Sequence, residues 1–169
     1  MTDDPRRMVL DGYANGVPMG GTLGASDAAP SFTVHAMKDP DGANLDRIQI
    51  IKGWVDAEGE PQERIIDVAW SEGRERDADG NLTPVGNTVD AETARYRNNI
   101  GARELIGHWE DDSFDPEAHA VYYARVIEIP TPRWTTYDAV RNGLPLLDGV
   151  AVSIQERAWT SPIWYNPEQ

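Results

Sequence analysis

The oxygen-bearing side chains between residues 39 and 46 are the first whose types and spacing suggest chemistry. The segment "DPDGANLD" places Asp39, Asp41, Asn44 and Asp46 at near-alternating positions, and their oxygens are the kind of ligand that calcium prefers. The spacing departs from the helix–loop–helix calcium site, because the glycine comes too early and Ile50 stands where a bidentate glutamate is needed. Since Asp-Pro-Asp-Gly is also ordinary turn chemistry, we favour a turn whose side chains cap its own amides, with calcium as the alternative.

Other catalytic patterns are missing from the sequence. The chain has no cysteine, and its three histidines, His35, His108 and His119, are too far apart along the chain to form a recognisable zinc motif. Neither a G-x-S-x-G elbow nor a glycine-rich phosphate loop occurs. With 29 Asp and Glu, chance pairs of carboxylates are expected, so no glycosidase pair stands out. We therefore expect no catalytic residue, metal or cofactor, and no enzyme activity from this chain alone.

The charge balance limits the partners. The 29 acidic residues outnumber 15 Lys and Arg, which gives a net charge of −14 that repels phosphate backbones and anionic membranes. The N-terminal stretch "MTDDPRRMVLDGYANG" is charged and is not expected to be a signal peptide. No segment approaches the ~20 apolar residues of a membrane span, so we expect neither nucleic-acid binding nor membrane insertion. The absence of cysteine suits the cytoplasm and the periplasm alike.

The six tryptophans introduce a second class of function. Trp134, Trp159 and Trp164 lie near prolines toward the C-terminus, where exposed rings would suit a carbohydrate-binding module. Packing into the core is the favoured interpretation, because large aromatic side chains dominate core energetics.

Period-two patterns from residue 31 onward predict the fold that must position these residues. "SFTVHAM", "RIIDVAW" and "AHAVYYARVIEIP" alternate as strands, and "LDRIQIIKGWV" fits a strand with a bulge near Ile50 to Gly53. We predict an all-β fold, an antiparallel β-sandwich of the immunoglobulin or fibronectin type with one or two short helices. Residues 1–30 form an irregular N-terminal segment in this interpretation, and residues 31–169 form the β-sandwich domain.

The remaining segments give less regular patterns. "VDAETARYRN" suggests a further strand, and "GARELIGHW" suggests two turns of helix. "RWTTYDAVRNGLP" predicts a short helix with a Thr135–Asp138 capping box and a stop at Gly143. "ERAWTSPIWYN" predicts two extended pieces around Ser161 and Pro162.

Several stretches resemble a known family when they are taken together. "GYANGVPMGG", "KDPDGANLDRIQIIKGW", "DVAWS", "VGNTVD", "YYARVIEIPTPRWT" and "IQERAWTSPIWY" are similar to the C-terminal portion of the bacterial family catalogued as domain of unknown function 3604, from about Asp11 to Tyr165. The resemblance implies longer relatives, whose upstream region is similar to metal-dependent phosphoesterases of the polymerase-and-histidinol-phosphatase (PHP) type. This chain lacks that region and its three histidines match none of the presumed metal ligands, so no catalytic residue carries over.

The resemblance implies a non-catalytic C-terminal module that packs on a PHP-like catalytic domain, either in cis or as a separate chain. A truncated gene product, a subunit and a fragment all remain open. We expect an exposed apolar patch lined by Tyr13, Val17, Met19, Trp134 and Trp159. The alternative is an independent module that binds a carbohydrate or other small ligand through exposed Trp and acidic loops. Relatives often carry export signals upstream, which suggests the cell envelope for a full-length parent.

Overall fold

The structure, a computed structural model, describes residues 5–169, and most of its regular elements are β-strands. In chain order the elements are α1 (Pro5–Asn15), β1 (Thr22–Leu23), β2 (Ser31–Met37), β3 (Leu45–Val55), β4 (Pro61–Trp70), β5 (Glu104–Glu110), β6 (Ala120–Glu128), β7 (Thr131–Pro132), α2 (Trp134–Asn142), β8 (Ser153–Ile154), β9 (Arg157–Trp159) and β10 (Ile163–Tyr165). No helix in this range is both long and apolar enough to cross a membrane.

The strands form one large sheet and two small ones. The large sheet has the order β1-β10-β6-β3-β4, and β9 also pairs with β6, beyond the end of β10. Its neighbours are antiparallel except for β1 and β10, which run parallel. β2 pairs with β5 in a second sheet, and β7 pairs with β8 in a third. The predicted β-rich fold with short helices is confirmed at this level.

The core lies between the β2–β5 sheet and one side of the large sheet, which we call the inner side. Alternation along β2 turns Phe32 inward, where its ring centroid lies 4.5 Å from that of Tyr122 on β6. Gly107 on β5 is needed for this approach, because a Cβ there would lie 2.7 Å from Val68 Cγ2 on β4. The opposite side of the large sheet, the outer face, is not covered by the β2–β5 sheet.

The alternation of β3 continues through the region where a bulge was predicted. Ile50 and Lys52 face inward, whereas Ile51 faces outward and is buried between Tyr123 and Ile65, its cross-strand partners. Because apolar neighbours receive Ile51 on the outer face, the break in alternation needs no bulge. The register shifts occur earlier in the strand, between residues 48 and 49 and between residues 45 and 47.

Several predicted elements are confirmed. β2, β4 and β6 coincide with the alternating segments, and β9 and β10 are the two extended pieces beside Ser161 and Pro162. α2 is also confirmed, and it ends at Gly143 with a left-handed φ of 63°. The predicted Thr135–Asp138 capping box is wrong, because Arg133 occupies the N-cap and makes no side-chain cap hydrogen bond.

Two other expectations are corrected by the structure. The segment "GARELIGHW" contains strand β5 rather than helix, because Leu105, Gly107 and Trp109 alternate toward the core and the backbone pairs with β2. "VDAETARYRN" forms a turn with one bridge, Asp90 to Arg95, rather than a strand.

Residues 1–30 are not irregular throughout. α1 covers residues 5–15, and β1 is held on β10 by hydrogen bonds from Trp164 N to Gly21 O and from Asn166 N to Leu23 O. Residues 1–4 lie outside the described residues. Short strands such as β1 carry no sequence period of their own, since pairing with a distant edge creates them.

Candidate functional site

The turn at residues 38–42 binds the ammonium group of its own Lys38. Lys38 Nζ donates to the carbonyl oxygens of Asp39, Pro40 and Gly42 at 2.6, 3.0 and 2.9 Å. Asp39 Oδ1 accepts a hydrogen bond from Asp41 N at 2.9 Å, the side-chain cap that the sequence favours. The carbonyl oxygens that a bound cation would need are therefore already used by an ammonium group.

Asn44 and Asp46 are buried, and they bond to residues that are distant in sequence. Asn44 Nδ2 donates to Ile100 O at 2.7 Å. Asp46 forms ion pairs with Arg74 and with Arg47, and it accepts a 2.8 Å hydrogen bond from Gln155 Nε2. The structure therefore does not gather the four candidate calcium ligands around one point. Within residues 5–169, no three His, Cys, Asp or Glu side chains come together as metal ligands would.

A buried ion pair beneath the second sheet was not predicted. Lys52 Nζ lies 2.6 Å from Asp111 Oδ2, and the two side chains are 4 % and 0 % exposed. Tyr122 Oη donates to the same oxygen at 2.7 Å, and Ser113 N donates to Asp111 Oδ1 at 3.1 Å. The visible signal was a lysine in the middle of the apolar run "IQIIKGW".

The electrostatics of this cluster show a fully satisfied site. Burial alone would raise the pKa of Asp111, but hydrogen bonds from Lys52, Tyr122 and Ser113 hold it below its ordinary value. Burial, followed by the hydrogen bond to Asp111, raises the pKa of Tyr122 far above its usual range. These side chains are closed to solvent and bonded to each other, so the cluster offers no group to a substrate.

The three histidines are dispersed. His35 Nε2 lies 2.5 Å from Glu104 Oε1 across the β2–β5 ladder. His108 Nδ1 lies 3.3 Å from Thr33 Oγ1 in the same sheet, and His119 is exposed just before β6. These positions provide two separate surface hydrogen bonds and no shared centre.

A polar cleft of about 560 Å³ lies in the loop between β4 and β5. Its lining comprises Asn87, Thr88, Val89, Asp90, Thr93, Arg95, Tyr96 and Arg97. The Thr93 hydroxyl and the backbone amide of Glu92 lower the pKa of Asp90, so this carboxylate is ionised and engaged in its own turn. The cleft is built by turn chemistry, and it brings no nucleophile beside a base.

The first exposed apolar surface lies on α2 and the segment after it; we call it the α2 surface. Hydrogen bonds to Val152 O from Arg133 N, at 2.9 Å, and from Thr136 Oγ1, at 2.8 Å, bring the two ends of this stretch together. The exposed side chains of the α2 surface are Trp134, Leu144, Leu146, Leu147, Val150 and Val152. Trp134 at 68 % and Leu144 at 60 % are among the most exposed.

The second exposed surface is the part of the outer face that β9 and β10 form. Trp159 and Trp164 are 58 % and 53 % exposed there. Core packing for these two residues and for Trp134, the interpretation favoured from the sequence, is therefore wrong.

The five residues predicted to line an interface do not fall on one surface. Trp134 belongs to the α2 surface, whereas Trp159 belongs to the outer face. Tyr13 is 73 % exposed on α1, and Met19 is 63 % exposed on the segment leading to β1, beside the half-buried Val17. The sequence did not indicate the leucines after α2, although "GLPLLDGVAV" carries no helical or strand period that would bury them.

These features define a small β-rich domain with a satisfied polar interior and two exposed surfaces of different chemistry. A family model described as "Protein of unknown function (DUF3604)" matches residues 2–167, and the chain belongs to that family. Searches of curated proteins and of solved structures returned no match.

Proposed function

We propose that this chain is a non-catalytic module that packs on a metal-dependent hydrolase domain of the PHP type, in cis or as a separate chain. The observation that carries the proposal is the α2 surface, where one tryptophan and five aliphatic side chains face solvent within residues 134–152. Monomeric proteins rarely expose large contiguous apolar patches, and larger ones mark sites of interaction with proteins, membranes or ligands.

The interior supports the same conclusion. The buried ionisable groups of the Lys52–Asp111 and Asp46–Arg74 pairs bond to each other, and the histidines point to no common centre. A support module needs no reactive group, whereas a hydrolase needs a nucleophile or metal in an accessible cleft. We also propose that the β2–β5 sheet over β3, β4 and β6 is a sandwich of the immunoglobulin or fibronectin type.

A reconstitution experiment tests the proposal. The upstream region of a longer family member is produced separately and mixed with this chain, and association is measured by sedimentation velocity. We expect a complex that Leu144→Ser and Leu147→Ser each weaken at least tenfold. Ile106→Ser is the matched control, because Ile106 is also exposed, at 47 %, but lies on β5.

Two results would contradict the proposal. One is the absence of association at concentrations of tens of micromolar. The other is equal weakening by the α2-surface variants and by Ile106→Ser, which would point to a nonspecific hydrophobic contact.

A further inference from the structure

Three aromatic residues share the outer face along one line. Trp159 pairs with Arg125 of β6, and Trp164 pairs with Val121 of the same strand. Cross-strand partners point to the same side of a sheet, and alternate residues of one strand do so as well. Tyr123 therefore faces the same side as both tryptophans, at a position between them.

The register sets the spacing of these rings. Residues 121, 123 and 125 of β6 are separated by about 7 Å per step, because a strand rises ~3.3 Å per residue. The two tryptophans lie beside the first and last of these positions. They therefore mark the ends of a track about 13 Å long on which Tyr123 lies near the middle.

A row of hydrogen-bonded polar groups crosses the sheet at one end of this track. Arg125, Gln49 and Asp67 are cross-strand partners on β6, β3 and β4, in line with Trp159. Arg125 Nε and Nη2 donate to Gln49 Oε1 at 2.9 and 2.7 Å. Gln49 Nε2 donates to Asp67 Oδ1 at 2.7 Å. These bonds hold the three side chains in fixed geometry before any ligand arrives.

The row combines donors and acceptors with charges of both signs. Gln49 joins Arg125 to Asp67, and the Asp67 carboxylate also pairs with Arg47 and Arg76 at 3.7 and 3.9 Å. Among the residues that the structure describes, Arg125 Nη1 donates to no protein acceptor, which leaves its hydrogens for a ligand. Exposed indole rings beside the donors of the Arg125 guanidinium suit a ligand that has apolar faces and many hydroxyl groups.

Other occupants fit this face less well. Interfaces between proteins are depleted of charged residues at their centre, whereas the charged row here runs across the sheet from β6 through β3 to β4. The net charge of −14 disfavours nucleic acid and anionic lipid. The centre of this face is closed, because Ile51 is 1 % exposed and Gln49 8 %, so a ligand lies along Trp159 and Trp164. The spacing of these rings favours an extended chain over a small enclosed molecule.

We propose that the outer face binds a neutral oligosaccharide or polysaccharide chain, which stacks on Trp159 and Trp164, crosses Tyr123 and hydrogen-bonds to Arg125 at the end of the Arg125–Gln49–Asp67 row. This inference does not depend on the proposed docking role, because it uses a different face of the domain.

Affinity electrophoresis tests this proposal directly. The chain is run through native gels that contain hydroxyethylcellulose, xylan, glucomannan, mixed-linkage β-glucan or soluble starch, and any retarding glycan is then titrated as its hexasaccharide by calorimetry. We expect retardation by at least one neutral glycan and at least a tenfold loss of affinity in Trp159→Ala and in Trp164→Ala. Trp134→Ala is the matched control, because Trp134 is also more than half exposed but lies on α2, and it should bind as the wild type does.

The outcomes separate the two proposals. Urea unfolding of each variant confirms that the fold is retained, as expected for side chains that are more than half exposed. Lack of retardation by every neutral glycan overturns the inference, and so does equal loss in Trp134→Ala. Association with the upstream region that Trp159→Ala abolishes would also overturn it, because the outer face would then be a protein interface. Loss of association with the upstream region in Leu147→Ser alone would concern the docking role and not the glycan site.

Discussion

Two neighbouring ion pairs on β3 and β4 allow a controlled measurement of how burial changes the stability lost when an ion pair is broken. Lys52 and Arg64 are cross-strand partners, and they bind the consecutive carboxylates Asp111 and Asp112. The side chains of the first pair are 4 % and 0 % exposed, whereas those of the second are 41 % and 63 % exposed. Lys52→Met and Arg64→Met therefore remove equivalent cations from the same place in the sheet but from different surroundings.

The expected losses differ severalfold. Lys52→Met leaves Asp111 ionised and buried, with only Tyr122 and Ser113 as donors, and breaking a buried pair in this way costs about 3–5 kcal/mol. Arg64→Met breaks an exposed pair, which costs about 0–1 kcal/mol. The double variant Lys52→Met/Asp111→Asn removes both charges and keeps an acceptor for Tyr122, so we expect it to be more stable than Lys52→Met alone.

The pH dependence supplies a second readout. In the wild type the lowered pKa of Asp111 contributes stability above the ordinary value of 3.8, and this stability is lost as the pH falls through the folded-state value. Without Lys52, burial raises that pKa, and a raised pKa favours the protonated folded state. The loss of stability in Lys52→Met relative to the wild type should therefore shrink as the pH falls below the raised pKa of Asp111.

Urea unfolding followed by tryptophan fluorescence measures both effects, with unchanged m-values as the sign that the folded and unfolded states are comparable. Equal losses in Lys52→Met and Arg64→Met at pH 7 would refute the reasoning. A deficit that stays constant on acidification would refute the assignment of the effect to Asp111.

Two further substitutions test the packing and the electrostatics elsewhere. Gly107→Ala should lower the free energy of unfolding by about 1–3 kcal/mol, because its Cβ would lie 2.7 Å from Val68 Cγ2. Gly12→Ala is the control, because a Cβ there meets no atom within 4 Å. It should leave the free energy of unfolding unchanged or raise it by up to about 1 kcal/mol. Equal stabilities of these two variants in urea would contradict the close packing of the sheets. Burial, and then the nearby Glu156, raise the pKa of Glu128 above its ordinary 4.5. At a pH below its ordinary pKa, Glu128 is protonated and its raised pKa contributes stability to the folded state. This contribution is lost as the pH rises through the folded-state pKa. Glu128→Gln should therefore raise the melting temperature at pH 7, and the gain should disappear under acid conditions. A gain that persists in acid would exclude ionisation of Glu128 as the cause.

The elements that the sequence predicted correctly are those with a strong period of their own. β2 and β6 alternate over seven and nine residues, and the alternation alone identifies their buried side. β5 was misassigned because its pattern includes Gly107, whose meaning depends on Val68 of another strand. Short elements such as β1 depend on a distant partner for their backbone bonds, so no local signal announces them.

The surfaces were harder to predict than the strands because they depend on register. A tryptophan in an extended segment faces the core or solvent according to which residue of the neighbouring strand it opposes. Trp159 opposes Arg125, an outward residue, and nothing in "ERAWTSPIWY" specifies that pairing. Lys52, in contrast, was recognisable as a cation within an apolar strand, and only its partner Asp111 required the structure.

The acidic composition has a structural role beyond solubility. Asp39, Asp56, Asp77, Asp90 and Asp115 each accept a hydrogen bond from the backbone amide two residues later. Ionised carboxylates suit this role because charge-assisted bonds to amides are stronger than neutral ones. Part of the negative charge therefore lies in turns. The spacing of these carboxylates resembles that of a cation site, but their oxygens already accept hydrogen bonds from backbone amides.

The two exposed surfaces make different demands on a partner, and this difference decides how the hypotheses are separated. The leucines of the α2 surface have no aromatic face for a sugar and no donor for a hydroxyl, so burial against another protein is the contact that we propose for them. The outer face has indole rings beside the guanidinium of Arg125, whose remaining donors an apolar partner would leave unpaired. A single binding event cannot suit both chemistries. A domain that docks through α2 leaves its outer face available to solvent and to a glycan, and for this reason Leu147→Ser and Trp159→Ala should impair different assays.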